Sequence, residues 1–369
     1  MVTVARMSAI AVLTSGGDAP GMNAAIRAIT KVASSHGVPT WGVENGFDGL
    51  IDGAFRPLSR RNKNGAEAPI HEVESDGGQG GTILGSSRSR RFFERTARAA
   101  AAKQLESYSI SGVVVIGGNG SLAGIHALQD ETDVPIVGIP ASIDNDIGLT
   151  REALGVDSAL NTIVEACDNI SDTARSHHRA FIVEVMGRHS GYLAMAAAVA
   201  TAADGVLMPE KPHTREDVID SVVGCIRTSF DAAREKTRVL IIKAEGVDVP
   251  THEIVEEATR RCEANGADYE IRGTVLGHVV RGGDASFRDR LLAGRFGRVA
   301  VEAALDGKSD VMTGWSIGVD LGEPTSDDWI RLFAIEDVLE ETAALLDGSS
   351  SVSIDRVARM EAIQGVLAL

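Results

Sequence analysis

An α/β fold with two similar doubly wound domains and mostly parallel sheets is predicted by three features of this sequence. Short β-branched runs are apolar throughout, helical patterns separate them, and several runs end in glycine-rich turns. Residues 9–13, 112–116, 135–139, 181–185 and 239–242 read as strands buried on both faces, the mark of a parallel sheet. The first run leads through Ser15-Gly-Gly-Asp-Ala-Pro-Gly-Met-Asn23 into a helical stretch over residues 24–27. Residues 56–81 are polar and glycine-rich and read as surface loop. Farther on, Val156, Leu160, Ile163, Cys167 and Ile170 recur at spacings of four, three, four and three, one apolar stripe on a helix running toward Arg175. Residues 348–352 read as a second loop before a short C-terminal helix, and no repeat of solenoid period is present.

Composition narrows the function classes. With 369 residues, 44% of them hydrophobic, the chain can bury a large core and divides into two domains. A formal charge of -16 argues against non-specific nucleic-acid binding, which depends on neutralising phosphates. No apolar run reaches the roughly 18 residues of a membrane span. Residues 8–14 are too short, and too soon followed by glycines, for a signal peptide. A cytoplasmic protein without membrane partners is therefore expected. Cys167, Cys225 and Cys262 are odd in number and lack metal-ligand spacing, so they read as reduced thiols.

The chemistry is carried by strand ends. The run 135–139 ends in Pro-Ala-Ser-Ile-Asp-Asn-Asp, which sets Asp144 and Asp146 one residue apart where open α/β sheets bind ligands. One acid of such a pair can take a proton from a hydroxyl while the other organises a metal. Glycines at 16, 17 and 21 let backbone approach a ligand, and a helix start favours a phosphate. Gly80-Gly-Thr-Ile-Leu-Gly-Ser-Ser-Arg88 adds guanidinium to a second glycine turn; Arg90 and Arg91 are equally well read as solvated charges. Gly117-Gly-Asn-Gly-Ser121 ends the run 112–116. A nicotinamide dehydrogenase is disfavoured, because no Gly-x-Gly-x-x-Gly fingerprint follows the first strand.

Taken in order, five motifs resemble the phosphofructokinase family: Gly-Gly-Asp-Ala-Pro-Gly-Met-Asn at 16–23, Gly-Gly-Thr-x-Leu-Gly-Ser-x-Arg at 80–88, Ile-Asp-Asn-Asp at 143–146, Val-Glu-Val-Met-Gly-Arg at 183–188, and Gly-Thr-Val-Leu-Gly-His-Val-Val-Arg-Gly-Gly at 273–283. The resemblance spans about residues 8–305. It implies transfer of a phosphoryl group from ATP to the C1 hydroxyl of fructose 6-phosphate with Mg²⁺, by positioning and charge stabilisation. By the same resemblance Asp144 is the base, Asp146 supports the metal, Ser142 meets the transferring group and Arg188 faces the developing charge. Gly17, Arg88, Ser89, Gly118, Asn119, Gly120 and Ser121 are implied to bind the donor. Met186, Gly187, Glu245, His278 and Arg281 are implied to bind the acceptor, with Arg179 and Arg272 reaching over from a neighbouring subunit. Met186 is also the kind of residue that fills core gaps.

The resemblance further implies a larger donor-binding domain (1–155 plus 281–330), a smaller sugar-phosphate domain (156–280 plus 331–369), an active site between them, and a homotetramer or dimer. Departures keep alternatives open. Asn119 stands where the family carries a metal-holding acid, so Asn119 and Asp146 are a weakened Mg²⁺ pair. Pyrophosphate users carry aspartate and lysine where this chain has Gly120 and Ala141, which favours ATP, whereas Glu44 replaces an adenine-stacking aromatic. Pyrophosphate as donor, sedoheptulose 7-phosphate as acceptor, and a lapsed sugar-phosphate or nucleotide-binding homologue remain alternatives. Arg27 and Lys31 lie where family members bind effectors, and are also ordinary surface charges.

Overall fold

The computed structural model describes residues 8–210, 214–267, 269–316 and 321–367. The chain begins with β1 (Ile10–Ser15), α1 (Met22–Ser35), β2 (Thr40–Val43), α2 (Gly46–Asp52), β3 (Phe55–Pro57), β4 (Ser59–Arg61), β5 (Glu67–Pro69), α3 (His71–Ser75), α4 (Arg95–Ser107), β6 (Gly112–Gly117), α5 (Asn119–Leu128) and β7 (Ile136–Pro140). It continues through α6 (Val156–His177), β8 (Ala180–Val185), α7 (Tyr192–Ala200), β9 (Gly205–Leu207), α8 (Arg215–Ser229), β10 (Val239–Ala244), α9 (Thr251–Ala264) and β11 (Ile271–Val275). The last part is α10 (Phe287–Leu305), β12 (Val311–Trp315), β13 (Glu323–Pro324), β14 (Ile330–Ala334), α11 (Ile335–Asp347) and α12 (Ser351–Leu367).

The chain divides into two units, one of residues 1–143, 147–158 and 281–343, the other of residues 144–146, 159–280 and 344–369. The last passage falls after residue 343 rather than near 330, because β14 pairs along its whole length with β12, from Val311↔Ala334 to Trp315↔Ile330. Residues 56–81 are not all loop: β4 and β5 form a two-stranded antiparallel sheet, and α3 follows. Strands of three residues carry too little apolar pattern to be seen in sequence. The C-terminal helix is also longer than expected, at 17 residues.

In the first unit the sheet order is β13-β14-β12-β7-β6-β1-β2-β3. Pairings from β2 through β1, β6 and β7 to β12 are parallel, and only the edges are antiparallel. Residues of β1 and β6 are buried throughout, as their unbroken apolar runs require. Since β2 lies on one side of β1 and β6 on the other, the chain changes direction between β1 and β6. That is the switch point at which open α/β sheets bind ligands, beyond the C-terminal strand ends.

The starts of α6 and α10 are tied together within this unit. Asp289 is fully buried and accepts from Gly155 N (2.9 Å), Ser158 N (2.9 Å) and Ser158 Oγ (2.6 Å). Ser286 caps α10 at Asp289 N and donates to Asp157 Oδ2 at 2.6 Å. Beside this cluster Glu152, 7% exposed, meets the Arg288 fork at 2.9 Å. Burial pushes the Glu152 carboxyl up to about 7, with Asp289 and Asp157 adding to the rise and Arg288 opposing it. Protonated Glu152 is thus favoured in the folded protein. Its stabilising contribution is complete below pH 4.5 and is lost as pH rises through about 7. Glu152→Gln is expected to remove that slope, gaining on the order of 1–3 kcal/mol over wild type at pH 8 relative to pH 4.5. Denaturation at both pH values checks this; parallel curves for the two proteins would refute it.

In the second unit β11-β8-β10-β9 form an all-parallel sheet. One face carries the core, with Ala180, Ile182, Val239 and Ile241 packed against Val218, Val222 and Ile226 of α8 and Ile254 and Ala258 of α9. On α6, Val156, Ile163 and Cys167 of the expected stripe are buried, and Leu160 and Ile170 are half-buried. Burial pushes the Cys167 thiol up to about 11 and the Cys225 thiol up to about 12, and all three cysteines are free. Among the described residues no helix is long and apolar enough to cross a membrane.

Candidate functional site

In the first unit, three motif loops converge at the switch point. Ser15 of β1 is level with Gly117 of β6, and Gly117 with Pro140 of β7, so the turns after all three strands open at one edge. A side chain at Gly117 has no room: its Cβ would stand 2.4 Å from Ser121 Oγ and 2.5 Å from Ser15 O. The first and second motifs are laced together. Gly16 N donates to Ser87 O (3.1 Å), and Ser86 Oγ returns a bond to Gly16 O (2.8 Å). Asn23, 3% exposed, donates to Gln79 O and Gly80 O and accepts from Ile83 N. The fifth motif joins at Gly80, where a Cβ would lie 2.2 Å from Gly283 O.

Several of the residues expected to bind the donor lie around this junction. Asn119, Gly120 and Ser121 form the first turn of α5, whose N-cap is Gly118, so backbone N–H groups point toward the strand ends. Space beside Gly120 is open: its Cβ would meet nothing within 4 Å. Ser121 Oγ is buried without a hydrogen-bond partner. Arg281 Nη1 donates to Asp18 O (3.2 Å) and would lie 3.0 Å from a Cβ at Gly17, which sets this guanidinium over the first glycine turn. Arg88 is exposed. Ser89 Oγ is committed to Asp48 Oδ1 at 2.5 Å, and Ser87 Oγ reaches Asp48 Oδ2 at 3.0 Å. Asp48 is a loop anchor that no sequence pattern announced. Arg91 forks onto Asp52.

Glu44 follows β2 and is exposed, ion-paired to Arg56 Nε at 3.3 Å. Of the two basic residues on α1, Lys31 pairs with Glu74 (3.4 Å), and Arg27 lies against Gly77. After β7, Ser142, Asp144 and Asp146 are half-buried, while Ala141, Ile143, Asn145 and Ile147 between them are buried.

In the second unit, the loops after β8 and β10 are joined. Glu245 N donates to Val185 O (2.9 Å) and Gly246 N to Gly187 O (3.2 Å). Gly187 has φ 125°, a left-handed conformation that favours glycine. Met186 is 7% exposed, Glu245 half-buried, Arg188 and His278 exposed. Arg179 and Arg272 lie elsewhere, at the N-terminal ends of β8 and β11, where both bond the Glu270 carboxylate. The two guanidinium groups hold that carboxyl below its usual range, Arg179 contributing most. Six residues of β8, roughly 20 Å of strand, separate this pair from Met186. Within one chain the two sets do not meet.

No group of three or more His, Cys, Asp or Glu able to hold a metal exists among the described residues. An all-protein cage is therefore absent from them. Mg²⁺ does not require one, since it is normally held by one or two carboxylates together with substrate phosphates and water.

The phosphofructokinase family profile matches residues 9–304. The ATP-dependent 6-phosphofructokinase of Thermotoga neapolitana is 47% identical over 83% of this chain and 89% of its own length. That of Brevibacillus brevis is 42% identical over 84% and 89%. Among solved structures, the Pichia pastoris phosphofructokinase in the T-state superposes with a TM-score of 0.81 at 30% identity over 97% of this chain, which spans only 42% of that one. A pyrophosphate-dependent phosphofructokinase of Marinobacter aquaeolei shares the fold, with a TM-score of 0.72 at 22% identity, over 89% of this chain and 83% of its own. With its motif loops gathered at the sheet's switch point, and with these relatives matched over most of its length, the chain belongs to the phosphofructokinase family.

Proposed function

We propose that this protein is an ATP-dependent 6-phosphofructokinase, a phosphotransferase that converts fructose 6-phosphate to fructose 1,6-bisphosphate. The observation that supports this most is the identity of 47% to a relative of that name over 306 residues, beside a family profile whose match, residues 9–304, takes in every motif loop at the switch point. The larger unit would bind the donor and the smaller one the sugar phosphate.

In this reading Asp144 removes the proton from the C1 hydroxyl as that oxygen attacks the γ-phosphorus and the bond from the γ-phosphorus to the β,γ-bridging oxygen breaks, so that ADP leaves. Gly17 backbone, the α5 N-terminus at Gly118–Ser121, Arg88 and Ser89 hold donor phosphates, and Ser142 and Arg188 meet the transferring group. Asp146 and Asn119 would hold Mg²⁺, which when bound neutralises phosphate charge. Asn119 offers an amide oxygen without charge, so it holds the ion more weakly than an acid. Met186, Gly187, Glu245 and His278 of the smaller unit line the acceptor, and Arg281, which the larger unit holds over the first glycine turn, would reach the acceptor from there. Arg179 and Arg272 would serve the acceptor phosphate of a neighbouring copy in a homo-oligomer, which accords with their position at the opposite end of β8.

Open space beside Gly120 favours a nucleotide over pyrophosphate, since an α-phosphate needs the room. A coupled assay crossing ATP and pyrophosphate with fructose 6-phosphate and sedoheptulose 7-phosphate tests the proposal. Turnover with ATP and fructose 6-phosphate is expected. Gly120→Asp, which fills and charges that space, should raise the ATP KM at least about tenfold, a cost of about 1.4 kcal/mol from like charges. Turnover with pyrophosphate alone, or silence in all four combinations, would defeat the assignment.

A further inference from the structure

Lys243 stands where packing alone calls for hydrocarbon. The register of β8 and β10 pairs Ala180 with Val239 and Ile182 with Ile241, all four in the apolar core. Two residues farther along the same face, the pair is Glu184 opposite Lys243. Lys243 is 1% exposed, among the largest side chains that are wholly buried. Its Nζ lies 3.0 Å from Glu184 Oε2 and 3.4 Å from Ala244 O. Thr251, the first residue of α9, donates its hydroxyl to the same carboxylate oxygen.

Net stability is a poor explanation for this arrangement. Taking the Lys243 ammonium wholly out of water, and the Glu184 carboxylate partly so, carries a large desolvation cost, and such a pair replaced by well-packed hydrocarbon is often no less stable. Location explains it better. Only one rung, Val185↔Ala244, separates the pair from the point where both strands leave the sheet. Immediately beyond, Glu245 N bonds Val185 O and Gly246 N bonds Gly187 O. Glu184, Lys243 and Thr251 also line, together with Glu245, a cavity of about 680 Å³. An ion pair across the strands, with the α9 start hydrogen-bonded to it, has one good geometry where a hydrocarbon contact has many.

We propose that Glu184, Lys243 and Thr251 form a positioning unit that sets the separation of the two strand ends, and so the placement of Met186 and Glu245 toward the acceptor sugar. The inference rests on the reading of those two residues as sugar-lining. None of the three needs to touch substrate.

The test separates position from stability. In Lys243→Met the KM for fructose 6-phosphate should rise about tenfold or more, while the KM for ATP stays within twofold. The double variant Glu184→Met with Lys243→Met removes both charges, and should melt near or above wild type yet keep the raised sugar KM. It also carries the test if the single variant fails to fold. Thr251→Val, which deletes one hydrogen bond, should give a smaller rise of two- to threefold in the same constant. A folded double variant whose KM for fructose 6-phosphate lies within twofold of wild type overturns the proposal, because the pair would then be structural only. Wild-type protein that neither turns over nor binds fructose 6-phosphate overturns both this inference and the function on which it rests.

Discussion

Asp144→Asn is expected to lower kcat with fructose 6-phosphate by roughly 10²–10⁴-fold, the span usual for loss of a positioned general base. The substitution keeps size and shape and removes only the basic oxygen. The residue is half-buried between buried Ile143 and Asn145, so the backbone that carries it should hold its course. Substrate affinity should therefore change little, with both KM values within about threefold, since an interaction made only in the transition state is being lost. Steady-state kinetics of the purified variant decide the matter. A fall in kcat below tenfold would remove Asp144 from the role of base, and a KM effect without a kcat effect would make it a binding residue.

The largest effect on stability is expected at Asp289. Asp289→Ala leaves Gly155 N, Ser158 N and Ser158 Oγ without their acceptor in a site closed to water. Buried donors without acceptors cost about 1–3 kcal/mol each, partly relieved by relaxation, so a loss of about 3–5 kcal/mol is expected. Asp289→Asn keeps one acceptor oxygen and should lose less. Burial raises the Asp289 carboxyl above its ordinary value against the pull of these same bonds, so the charged form is held at a cost that the amide avoids. Tryptophan fluorescence during urea denaturation is a selective probe, because Trp41, Trp315 and Trp329 all belong to the first unit. A shift under about 1 kcal/mol for the alanine variant would mean that water replaces the carboxylate.

The parts of the fold that were legible in sequence are those whose burial leaves an unbroken local record. All five expected strands form, at 10–15, 112–117, 136–140, 180–185 and 239–244, because a strand covered on both faces must be apolar at every position. The glycine turns were legible for the same reason: Gly117 and Gly80 lie against backbone or side-chain atoms that exclude a Cβ. What escaped is information held by distant partners. Arg281 reads as one more basic residue in a motif until Asp18, 263 positions away, accepts its hydrogen bond. Asp289 looks like a charge on a helix, and Lys243 like a flaw in a strand. Only the register with Glu184 gives the latter a partner. Strand β14 leaves little trace in sequence, because Ile-Arg-Leu-Phe-Ala is short and follows a stretch without periodicity.

The interrupted course of the first unit bears on how the protein is made. Strand β7 must wait for β12, its neighbour, and Val137 is paired with Val311. At about 5–20 residues per second, the 173 residues between them take roughly 9–35 s to be made. Throughout that interval β7 has a bare edge, and α1 lacks α10, the helix that packs against it. The second unit has no such wait for its sheet, since all four strands arise within residues 180–275. The unit begun second on the ribosome can therefore complete its sheet first, leaving the nascent first unit as the natural client for chaperones.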